Sequence, residues 1–133
     1  MHAQLWTETI VSLGGRPRPT SDTYQSRYAS AIGTPTSLVE VLALTQVFER
    51  GVYRHFVRHL RRPGTHPYVQ STLRRMLDEE RGHLSWVQEW LARQTGSRRS
   101  AIPTLMRRYA EVDALIHEQL LRDYEWDDLA CAS

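Results

Sequence analysis

At 133 residues, with a net charge of +2 from 17 basic and 15 acidic side chains, the chain is one domain with room for a real core. The near-balance of charge argues against nucleic acid as a partner, and the one cysteine, Cys131, excludes an internal disulfide. No stretch approaches the roughly 18 apolar residues of a membrane span and no signal peptide is visible, so the cytoplasm is the expected compartment.

Residues 1–14 read as a helix, with His2, Leu5, Trp6, Ile10 and Leu13 at helical spacing and Gly14-Gly15 as its stop. Residues 15–36 carry Pro17, Pro19, Gly33 and Pro35 among many Ser and Thr. This is a long connection for a compact domain, and a short amphipathic turn from Tyr24 to Ile32 interrupts it.

A helix over 37–62 opens on Ser37-Leu38-Val39-Glu40, a capping-box pattern in which the Ser side chain and the Glu side chain each satisfy an orphan backbone N–H. Its apolar stripe runs Leu38, Leu42, Thr45, Glu49, Val52, Phe56, Leu60, with a carboxylate in the centre. Arg62-Pro63-Gly64-Thr65 marks a turn. The second arm, 66–94, has Pro67 in its first turn and the stripe Val69, Leu73, Met76, Glu80, His83, Val87, Trp90. Leu77, Leu84 and Leu91 widen that face, while Trp86 and Trp90 are expected in the core and wall. Ser97 to Ala101 reads as a polar linker, and Pro103 opens a last helix over 103–126 with Leu105, Tyr109, Val112, Ile116 and Leu120 as its stripe. Glu111, His117 and Glu118 fall outside that stripe and are expected in solvent. The tail around Trp126 is acidic and aromatic, suited to docking on the domain itself or on a partner.

Glu49 lies about as far before the turn as Glu80 lies after it, so an antiparallel hairpin brings the two carboxylates level, with His83 one turn on. Ionisable groups in an apolar seam need a partner, because burying an unpaired carboxylate costs several kcal/mol, of order. Glu-x-x-His sets two ligand side chains roughly 5–6 Å apart at Cβ on one helix face. A metal ion is a sufficient partner for the three, and hard carboxylates with an imidazole suit iron or manganese. A surface pairing of Glu49 with Arg50 or Arg54, and a hydrogen-bonded core His83, are the competing accounts. Gly51 and Gly82, each beside a candidate ligand, admit two readings: close packing, or room for a metal or substrate.

Glu49 followed by Glu80-Arg81-Gly82-His83 resembles half of the di-metal site of the ferritin-like di-iron carboxylate superfamily, which includes rubrerythrins, ferritins and the di-iron oxidases. The resemblance implies an all-α, ferritin-like antiparallel helical bundle with a long crossover between helices and an extra C-terminal helix. It implies two iron ions, with manganese as a substitute, and O₂- or peroxide-dependent oxidoreductase or ferroxidase chemistry on iron or a small molecule. It further implies that His2 is the histidine of a first Glu-x-x-His, whose Glu and preceding helix would fall upstream of Met1, and that Tyr53 is a redox-active phenol or a hydrogen-bond partner of a ligand; the plain alternatives are a frayed N-terminal His2 and a Tyr53 that serves packing. Two carboxylates and one or two histidines are half of a full site. A homodimer sharing the site at its two-fold axis would complete it by symmetry. The other readings are a segment lacking its first helix and a metal-free bundle serving structure or protein interaction through its arginine faces or tail.

Overall fold

A computed structural model describes residues 2–123, and these are all-α. Five helices follow one another: α1 (His2–Ser12), α2 (Tyr24–Ile32), α3 (Leu38–Arg61), α4 (Pro67–Ala92) and α5 (Gly96–Asp123). None of the described helices is long and apolar enough to cross a membrane.

Local signals set the helix starts. Ser37 Oγ accepts from Glu40 N at 3.2 Å while Glu40 Oε2 accepts from Ser37 N at 3.2 Å, the reciprocal capping box. Thr23 and Ser26 cap α2 in the same way. At α4 the His66 side chain accepts from the Tyr68 N–H, and Pro67 occupies the first turn, where its missing donor is not needed. Gly64, at φ +81°, supplies the left-handed residue of the α3–α4 turn.

α3 is the shared wall of the bundle. It packs most extensively on α4 and α5; α1 lies on α4, and α2 lies on α5. Leu42 of α3 meets Val87 and Leu91 of α4, with Trp90 and Ile102 at the edge of the cluster. Ala43 and Val47 meet Tyr109 of α5, and Tyr28 of α2 closes over Ile116 and Leu120. Arg27 ties α2 to the far end of α5 through Asp123 at 2.8 Å. α1 is held by buried Leu5, by the Thr9–Thr72 hydroxyl contact at 2.5 Å, and by Trp6 edge-on to Phe56 of α3.

The last helix departs from the pattern reading. It begins at Gly96, and Pro103 lies inside it rather than at its start. Proline removes one backbone hydrogen bond from a helix interior, but Ile102 packs against the Leu42–Val87–Leu91 cluster and holds this first stretch on the bundle. The polar sequence Ser97 to Ala101 is therefore an exposed helical turn, not a linker. Leu38 and Trp86 are each 59% exposed, so the first stripe position of α3 lies outside the core and Trp86 is a surface residue. Glu111 and Glu118 are in solvent as expected, whereas His117 is half-buried. Trp126 and Cys131 lie outside the described residues.

The two helical glycines have different surroundings. A Cβ on Gly51 would come 3.1 Å from Asp113 Oδ2, whereas one on Gly82 would meet nothing within 4 Å. Gly51 thus serves close packing against α5, on a different face from Glu49. Ala at Gly82 is expected to stabilise the fold by about 0.5–1 kcal/mol, the usual helix-interior gain. Ala at Gly51 is expected to destabilise it, because two tyrosines hold Asp113 in place. Paired chemical denaturation curves check both signs.

Candidate metal centre

The capped start of α3 and the tight α3–α4 turn set the register that brings Glu49 and Glu80 together. Glu49, Glu80 and His83 each offer a ligand atom, and these atoms lie within 4.8 Å of one another. Burial grades across the group: Glu80 is 1% exposed, Glu49 is half-buried, and the His83 side chain is 60% exposed. The expectation of three groups buried in one apolar seam is thus corrected for His83. It stands at the rim, with its ring 6.3 Å from that of His2.

α1 brings His2 to the same place. His2 Nδ1 lies 3.3 Å from Glu80 Oε1, and Nε2 is hydrogen-bonded to Glu79 Oε2 at 3.0 Å. His83 Nδ1 stands 3.7 Å from the other Glu80 oxygen, Oε2. Each oxygen of one buried carboxylate therefore faces a different imidazole. Glu79 is out of phase with the apolar stripe of α4, yet its side chain is only 25% exposed and turned toward His2. The missed signal is that α1 covers this flank of α4, which no periodicity within α4 reports. The Tyr53 hydroxyl accepts from Arg81 Nε at 3.4 Å near the surface.

The electrostatics are those of a charge-deficient site. Burial, then hydrogen bonding to Glu80 and the charge of Glu80, raise Glu49 from an ordinary 4.5 to about 7, with His83 and His2 pulling the other way. Two adjacent carboxylates without a cation must share a proton. Even so, Glu80 Oε2 is buried with no hydrogen-bond partner. An oxygen in that state is costly and is relieved by a cation. The donor set fits one: two carboxylates and one or two imidazoles match the preferences of iron, manganese or zinc. The site is open on one side, where His2, Ala3, Glu79 and His83 line a hollow of about 550 Å³.

A second polar cluster lies between α3 and α5. The hydroxyls of Tyr24 and Tyr28 both donate to Asp113 Oδ1, the former at 2.7 Å. Asp113 is buried, and both phenols are held well above their usual range, by burial first and then by hydrogen bonding to Asp113. Asp113 was legible in phase, four residues after Tyr109 and three before Ile116, had its polarity not removed it from the stripe.

The raised Glu49 pKa has a stability consequence with a definite sign. A carboxyl that binds its proton more tightly when folded stabilises the fold fully below pH 4.5, and that contribution is lost as pH rises to about 7. In chelator-treated protein, Glu49→Gln should therefore gain thermal midpoint relative to wild type as pH rises through this window. Parallel melting curves from pH 4 to 8, roughly spanning both limits, test it.

No protein-family model matches the chain, no curated protein matches it, and no solved structure matches it.

Proposed function

We propose that this protein is a metal-binding helical bundle whose centre is held by Glu49, Glu80 and His83, with His2 as a further ligand. The observation that carries the reading is the buried Glu80 carboxylate, which has an orphan oxygen and faces Glu49, His83 and His2. A bundle spends stability on such a group, since replacing a buried charged cluster with apolar side chains is often neutral or stabilising. Retaining it is reasonable if a cation is bound.

Within the proposal Glu80 would be the central ligand, since its two oxygens face separate imidazoles. Glu49, as carboxylate, would supply the second negative charge to a bound cation. Glu79 accepts from His2 Nε2, which orients that ring and leaves Nδ1 toward the centre. His83, on the exposed rim, is the ligand nearest to entering solvent or substrate. A bound iron or manganese centre of this type supplies one-electron redox chemistry with O₂ or peroxide, the activity expected of a ferritin-like relative. The open hollow beside His2 and His83 is the side on which a second copy of the chain would complete the ligand set and close the site.

Metal content per chain, measured together with solution mass, tests the reading. Wild-type protein is expected to carry about one or two first-row metal ions per chain and to run as a dimer. Glu80→Ala should lose the metal. Glu80→Met should raise the melting temperature of the chelator-treated protein while abolishing its response to added Fe²⁺ or Mn²⁺. The proposal fails if wild type is metal-free after expression and fails to take up either ion, yet stays folded; the bundle then acts as an interaction scaffold.

A further inference from the structure

A second group of imidazoles lies on another face of α3, with His55 in contact with both His59 and His117. Glu49 and Gly51 are two residues apart, about 200° around the helix, so the stripe Val47, Gly51, His55 faces α5 rather than Glu80, with His59 one turn on from His55. Between this stripe and α5 is a cavity of about 270 Å³, lined by Gly51, Arg54, His55, Arg58, Asp113 and His117 among others. Gly51 leaves space where any side chain would press on Asp113.

His55 and His59, one turn apart, bring their Nε2 atoms to 3.1 Å. Two imidazole nitrogens bound to a single zinc ion at about 2.0–2.1 Å stand roughly 3.0–3.4 Å from each other. The pair therefore already has the bite of a two-point chelate. Across the cavity His117 packs edge-on against His55, with ring centroids 5.8 Å apart. A metal-ligating imidazole must be neutral. Burial, then His59, His117 and Arg58, push His55 down to about 4, and burial with Arg62 and Arg58 lowers His59. The Nε2–Nε2 hydrogen bond places one ring proton between the two nitrogens, and a metal bound by both would require that ring to carry its proton on Nδ1 instead.

We propose that His55, His59 and His117 form a second metal site, all-imidazole in character, for a borderline divalent ion such as Zn²⁺ or Ni²⁺. Its chemistry differs from that of the Glu49–Glu80 centre: nitrogen ligands select zinc, nickel and copper, whereas the carboxylate-rich centre suits iron and manganese. The guanidiniums of Arg54 and Arg58 line the cavity and oppose a bare dication, so the site favours a metal that carries an anionic ligand such as chloride or a carboxylate. It stands independently of the carboxylate centre, because no residue is shared between them.

Zinc binding by calorimetry, in a Glu80→Gln/His83→Ala background that disables the carboxylate centre, tests the proposal. That background should bind one Zn²⁺ per chain, on the stoichiometry of a single three-histidine site. Adding His59→Ala, a favourable helix substitution, should weaken binding at least tenfold, and adding His117→Ala should also weaken it. Long-range ¹H–¹⁵N spectra of the wild-type protein should show zinc shifting ring nitrogens of His55, His59 and His117, a readout that needs no substitution. Absence of zinc binding in the background, or binding unchanged by His59→Ala or His117→Ala, overturns it. The close Nε2 contact is then a neutral histidine–histidine hydrogen bond and nothing more.

Discussion

Glu80 sits in the seam between α3 and α4 with almost no access to water, and the polar side of this bundle is arranged around that fact. A carboxylate in such a place raises the energy of any neighbour that adds negative charge and lowers that of any donor or cation. Glu49 answers by holding its proton up to about 7. His2 answers by approaching Oε1, which draws the start of α1 onto α4 beside the apolar anchor of Leu5. Remove the carboxylate, and the reason for this polar arrangement at the α1 end of the seam disappears.

Other buried polar groups in the bundle are satisfied by protein partners. Asp113 receives two tyrosine hydroxyls, Thr9 donates to Leu5 O, and the Gln46 amide oxygen, in the orientation that fits its surroundings, accepts from Arg50. Among the described residues Glu80 Oε2 is the buried side-chain oxygen left without a hydrogen-bond partner. The contrast is what separates a structural polar residue from a candidate ligand. Asp113 shows what this fold does when it buries a carboxylate for packing: it supplies neutral donors on both sides, and the aspartate draws α2, α3 and α5 together.

Much of the architecture was legible in the chain because its signals are local. Ser37 and Glu40 cap α3, Pro63-Gly64 turns it into α4, and the 3.6-residue stripe names Leu42, Leu73, Met76, Val87, Ile116 and Leu120 as core, all of which are buried. The convergence of Glu49 with Glu80 followed from counting outward from that turn. The start of α5 was not legible, since Pro103 reads as a helix opening while the contact that sustains the preceding turn, Ile102 against Leu42 and Val87, spans distant parts of the chain. The same limit hid His117, which looks solvent-facing within its own helix and is half-buried beside His55.

The sequence by itself determined the helices, most of their buried faces and the pairing of Glu49 with Glu80, because periodicity, capping and the length of a short turn are properties of neighbouring residues. Only the tertiary structure decided that His2 and Glu79 flank Glu80, that His83 stands at the rim, and that Asp113, His55 and His117 line a cavity on another face of α3. The physical reason is distance along the chain. Burial and charge at these positions come from helices tens of residues away, so no local window contains both the group and the neighbour that sets its chemistry.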